Sequence, residues 1–120
     1  MQEQINTLLE NIKSEYIDFK QRHGSKDTVT GQKMIKDFDE GLGYKIGKKY
    51  IKITKENNGC VWGFVVNTDD DKKFRKGDIL KAAGWNAPAR NKARGNVVDG
   101  NYNICWTGPN YLRSFVKVTS

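Results

Sequence analysis

The chain has 120 residues and a mass of 13.7 kDa, a length that suits one domain with a single modest core and leaves no room for two. Hydrophobic residues at 37% and charged residues at 29% argue against wholesale disorder, and no apolar run nears the roughly 20 residues that would span a bilayer. A formal net charge of +7, from 21 basic and 14 acidic residues, favours a polyanionic partner such as nucleic acid, an acidic protein or anionic lipid.

The first element is an amphipathic helix over residues 4–22. Ile5, Leu8, Leu9, Ile12, Tyr16 and Phe19 follow the spacing of one helical face, with Glu10, Lys13, Glu15 and Lys20 off the stripe. Lys20, Arg22 and His23 suit the negative end of the helix dipole, and Gly24 can take the C-terminal cap. This opening segment lacks the apolar stretch of a signal peptide, which points to the cytosol. A shorter helix is expected from about Gly31 to Asp39, capped by Thr30, burying Met34, Ile35 and Phe38 and ended by Gly41 and Gly43.

Beyond residue 43 the apolar period falls to two. Strands are expected at roughly 48–55 and 60–67, joined at Asn58-Gly59 by a type I′ hairpin turn. Val61, Trp62, Phe64, Val65 and Val66 put apolar groups on both faces of the second, which marks it as central. GDILKAA (77–83) reads as a third strand, and VVDGNYNICW (97–106) as two more around Asp99-Gly100. FVKV (115–118) adds an edge. The order is α+β: N-terminal helices (1–43) packed on a twisted antiparallel sheet (44–120) with room to curl into a small barrel, all in one domain, 1–120.

The residue inventory restricts the chemistry. His23 is the only histidine and sits at a helix end, a poor basis for a nucleophilic triad. Cys60 and Cys105 form no CxxC pair for zinc and lie in apolar strands, where they read as free, buried thiols. The glycines at 41, 43 and 47 have the wrong spacing for a phosphate loop and read as a turn. Asp69, Asp70 and Asp71 lack the glycine and closing glutamate of a calcium loop. Asp78, Asp99 or Glu40 can pair across a fold, but their spacing does not demand it. No catalytic residue, metal or cofactor is expected.

The positive charge is concentrated. Between Lys72 and Arg94 there are eight basic residues against one acid, Asp78, although Asp69, Asp70 and Asp71 stand just upstream. A solvated lysine-rich surface is the plain reading of such a run; a polyanion-binding face is the functional one. Within GWNAPARNKARGN (84–96), an extended backbone would throw Arg90, Lys92 and Arg94 to one side, about 6 to 7 Å apart, near the phosphate spacing of a nucleic-acid strand. Lys73, Arg75 and Lys76 precede them. Trp85 is expected to anchor this loop on the core, as large aromatics usually do, with stacking on an unpaired base the alternative; Tyr102 and Trp106 are further stacking candidates.

FRKGDILKAAGWNAPARNKARGNV (74–97) and WTGPNYL (106–112) resemble a motif pair in small proteins of tailed bacteriophages, T4-like phages and phages of marine bacteria among them, a family without an assigned activity. The resemblance spans Lys48 to Leu112, leaves the helices outside, and implies a viral origin and a host-cytoplasmic setting. Sixteen lysines against five arginines, with eleven asparagines, agree with an AT-rich coding sequence. The expectation is a phage accessory protein without catalytic activity, whose basic, aromatic loop binds single-stranded DNA or RNA through Lys73, Arg75, Lys76, Trp85, Arg90, Lys92 and Arg94. The alternatives are a module that docks an acidic host or phage protein through the same face, and a virion-associated structural protein. No membrane partner is expected.

Overall fold

A helix with a continuous apolar stripe must find a surface to cover, and the first helix does so along most of its length. The computed structural model describes residues 1–24, 27–57, 59–90 and 92–110. Helix α1, Gln2–Arg22, buries Ile5, Leu8, Leu9, Ile12 and Tyr16. It ends as expected: the His23 amide donates to the Phe19 carbonyl, and Gly24, at φ +71°, closes the turn onto Gln21. Helix α2, Val29–Gly41, starts two residues earlier than expected because Thr28, not Thr30, is the cap; its Oγ1 accepts the Gly31 amide at 2.9 Å.

The second helix is shallow. Met34 is 43% exposed, while Ile35 and Phe38 are only half-buried, so the expected burial of all three is corrected. What α2 does bury are Gly31 and Gly41. A Cβ on Gly41 would stand 3.1 Å from the Asn57 amide nitrogen, so glycine allows this helix end to rest on the next hairpin's loop, whose Asn57 N–H donates to the Gly41 carbonyl. Lys13 on α1 holds Asp39 on α2 at 2.7 Å, and Tyr16 stacks on Phe38 with ring centroids 4.2 Å apart.

Eight strands follow among the described residues. Strand β1, Gly43–Ile46, pairs antiparallel with β2, Tyr50–Lys55, where the glycines had suggested only a turn; the turn is the short Gly47–Lys49 connection. Strand β3, Cys60–Val66, pairs with β2 and is central as expected. In the β2–β3 loop Glu56 and Asn57 are left-handed and Gly59 is not, while Asn58 of the expected turn lies outside the described residues. Strand β4, Ile79–Gly84, and the two-residue β5, Ala87–Pro88, complete a five-stranded sheet in the order β1-β2-β3-β4-β5. Strands β6, Gly95–Asn96, β7, Asn101–Cys105, and β8, Gly108–Asn110, form a smaller sheet.

The β6–β7 turn spans 97–100 instead of resting on Asp99-Gly100 alone. Asn96 Oδ1 accepts the amides of Val98 and Asp99, which pulls both valines out of the expected strand. Both sheets are antiparallel, an α+β architecture, and among the described residues neither closes into a barrel. The expected edge strand at 115–118 lies outside the described residues.

Strand alternation sends the core to two sides. Ile51 and Ile53 of β2, Val65 of β3 and Ile79 of β4 join the α1 stripe, whereas Phe64, Val66 and Leu80 gather with Phe74 on the other face. Trp62 breaks parity with Phe64. Ile53 pairs with Gly63 and Thr54 with Val61, so Trp62 is the extra residue of a β-bulge. The bulge turns its indole to the helix side, where it is 1% exposed and donates from Nε1 to the Cys105 carbonyl at 2.9 Å.

Candidate functional site

Alternation on β2 places Lys52 opposite Ile51 and Ile53, on the face that α1 leaves uncovered. Its neighbour across the ladder is Phe64, and its ammonium reaches the loop after β4. There Nζ stands 4.5 Å from the centroid of Trp85 and donates to Asn86 Oδ1 at 2.5 Å. Trp85 is 50% exposed. The expectation that it anchors the loop in the core is corrected: the tight β4–β5 connection leaves the indole at the tip of a ribbon, resting on a lysine instead of on apolar neighbours.

Arg90 is tied to the same face. Its guanidinium donates to Asp71 Oδ1 at 2.8 Å and to the Tyr50 hydroxyl, and its Cζ lies 4.9 Å from the Phe74 ring centroid. Lys73 Nζ donates to the Arg90 carbonyl. Asp71 also accepts the amides of Lys73 and Phe74, so one carboxylate organises the turn and fixes the arginine. The hydrogen bond from Arg90, then those two amides, hold the Asp71 carboxyl well below the usual carboxylate range, and Asp71 in turn pushes the Arg90 guanidinium up.

The remaining sequence-predicted residues scatter. Arg75 turns to Asp99 at 2.7 Å, and that contact raises its pKa; Lys76, exposed, lies beside it in a shallow depression with Asn96 and Val98. Lys92 is half-buried. Arg94 is 6% exposed, with Nη1 donating to the Pro109 carbonyl at 3.3 Å, which overturns its expected place on the surface. The alternation argument fails because both ends of this stretch are tied to β4, the amides of Ala89 and Arg94 donating to the Lys81 and Ile79 carbonyls. Gly95 then turns the chain at φ +133°, where a Cβ would sit 2.4 Å from that of Tyr102, and this close passage carries Arg94 inward.

The structure therefore brings Lys73, Trp85 and Arg90 to one face, adds Tyr50, Lys52 and Asn86, and removes Arg94 from it. Lys52 was legible, since a lysine between Ile51 and Ile53 must lie opposite them. Tyr102 and Trp106 belong to the other side: Asn11 of α1 donates to the Tyr102 hydroxyl, and Trp106 contacts Tyr16, Phe19 and Phe38. Among the described residues, Lys72 and Lys76 are exposed and carry no ion pair. Such a face offers one open aromatic surface and several mobile ammonium groups, the means of holding an anionic chain.

Cys60 and Cys105 are half-buried and not joined in a disulfide, less enclosed than their strand positions suggested. Among the described residues no group of three or more His, Cys, Asp or Glu side chains is arranged to hold a metal ion, and no helix is long and apolar enough to cross a membrane. The chain belongs to a family of unknown function, DUF7717, whose model matches residues 1–111 and so takes in both helices. Comparison with curated proteins and with solved structures finds no match.

Proposed function

We propose that the protein binds single-stranded DNA or RNA, without catalysis, on the sheet face that carries Trp85, and that it acts as a phage accessory protein in the host cytoplasm. The observation that carries the binding reading is the half-exposed indole of Trp85 with the Lys52 ammonium 4.5 Å from its centroid. An aromatic ring held at a loop tip beside cations is what an unpaired base and its phosphate require together. Lys73 and Arg90 extend the positive face, with Lys76 and Arg75 at its margin, whereas Lys81, between Leu80 and Ala82 on β4, alternates to the helix side. Three of the arginines assigned to the basic run are less free than their spacing suggested: Arg75 and Arg90 are paired with carboxylates and Arg94 is enclosed. The reading therefore rests on lysines and the indole more than on an arginine track. The viral origin and cellular setting rest on the motif pair at 74–97 and 106–112.

The test is titration of the protein with a single-stranded oligonucleotide at low salt, where electrostatic binding is strongest. Trp85→Ala is expected to weaken binding about 10-fold or more, the worth of one base stack, while the melting temperature holds. Absence of binding by the wild-type chain to any single- or double-stranded oligonucleotide would overturn the proposal, and an acidic protein would then be the partner to seek on this face.

A further inference from the structure

On the opposite side of the sheet a cavity of about 730 Å³ opens between α1, α2, the β2–β3 loop and the turn after β7. Its walls are aromatic. Tyr16 and Phe38 stack nearly parallel, and Trp106 stands almost perpendicular to both, at 81° and 86°, with centroids 5.1 and 6.1 Å away. Its rim is acidic: Asp37 and Glu40 from α2 and Glu56 from the loop are exposed there. Among the described residues none of these three carboxylates has an ion-pair partner. A chain of net charge +7 thus concentrates negative charge around an aromatic corner.

The corner already holds two cations of the protein's own, one of them Lys20, whose Nζ lies 5.6 Å from the Tyr16 centroid. Lys55 Nζ lies 5.2 Å from the Trp106 centroid, so the ring is reached by an ammonium and is electrostatically matched to it. A lysine ammonium is strongly hydrated and sits on a flexible stem, which makes it a displaceable occupant. An alkylated ammonium surrenders less hydration, presents methyl groups to the rings, and keeps the charge that the rim attracts. The volume exceeds that of such a head group alone, leaving space for an attached chain or ring. Burial, and then the charge of Asp37, push the Tyr16 phenol up, consistent with a carboxylate field that reaches the wall.

We propose that this corner binds an organic cation, an alkylammonium group carried on a small molecule. It is independent of the nucleic-acid reading, since it lies across the sheet from Trp85.

The test follows the indole N–H resonances of Trp62, Trp85 and Trp106 while choline, or the neutral tert-butyl analogue of choline, is added to the full chain. Choline is expected to shift the Trp106 resonance saturably and leave that of Trp85 in place, with the neutral analogue binding at least several-fold more weakly. Lys55→Met removes the cation over Trp106 and should tighten choline binding by about 2- to 5-fold, whereas joint Asp37→Asn and Glu40→Gln substitution should weaken it by a similar factor. Equal binding of choline and its neutral analogue would overturn the proposal, leaving only an apolar groove. So would the lack of any saturable Trp106 shift at tens of millimolar choline in both wild type and Lys55→Met.

Discussion

The two faces of the five-stranded sheet are built from the same strands, one residue to each side in turn, yet they are finished differently. On the helix side, α1 closes over Ile51, Ile53, Trp62, Val65 and Ile79, all of them 4% exposed or less. On the other, Phe64, Val66, Phe74 and Leu80 form a smaller cluster, roofed by Tyr50, Ala82 and Ala93 and fringed by Lys52, Lys73 and Arg90. The first face derives its stability from covered apolar area; the second leaves its long polar side chains in contact with solvent. Tryptophan marks the contrast, with Trp62 sealed on one side and Trp85 half-open on the other.

That contrast is sharpest if each indole is removed. Trp62→Ala empties a fully packed site and strips the Cys105 carbonyl of its donor, so a loss of about 3 to 5 kcal/mol is expected. Trp85→Ala should stay within about 0.5 kcal/mol of wild type. Urea denaturation of the two variants measures both. A large loss at Trp85 would mean that the open face is packed like the covered one, and the comparison would fail.

Arg94 tests where the boundary between the faces runs. Its guanidinium is enclosed beside Pro109, itself buried, and truncation would leave that carbonyl without this donor. Arg94→Ala is therefore expected to cost about 1 to 3 kcal/mol, while Lys81→Ala, from the same basic run but exposed, changes stability by no more than about 0.5 kcal/mol. Equal, small effects in denaturation would return Arg94 to the surface and to the binding face.

Local pattern explains how much of this was readable. The α1 stripe was plain because one helix covers one surface, and β3 declared itself central by carrying apolar groups on both sides. The register of Trp62 was hard to read, since a bulge reverses parity and Gly63, the one residue of CVWGFVV that signals a bulge, does not say which neighbour is the extra one. Strand β1 hid behind Gly41, Gly43 and Gly47, which serve a helix end and a tight hairpin as well as they would a loop. At Trp85 the general burial of large aromatics misled, because what decides its exposure is its place in the two-residue connection between β4 and β5. For the basic run, spacing revealed charge but not pairing: Asp71 and Asp99, distant in sequence from Arg90 and Arg75, neutralise them only after folding.

The smallest effect belongs to one of those pairs and separates the faces by pH. Asp71 titrates well below the usual carboxylate range because Arg90 and two backbone amides bind its charged form. A group whose folded-state pKa is depressed stabilises the fold fully above its unfolded value, about 3.9, and loses that contribution as pH falls through the folded value. Asp71→Asn keeps the shape and an acceptor for the amides but removes the charge. The variant should be slightly less stable than wild type at neutral pH, and the gap should close under strongly acidic conditions, in denaturation midpoints followed across pH. Freed from its carboxylate, Arg90 gains reach over the open face, so the same variant should bind a single-stranded oligonucleotide more tightly than wild type, with a steeper salt dependence. A gap in stability that persists unchanged into acid would show that Asp71 acts through its shape alone, and unchanged affinity would remove Arg90 from the binding face.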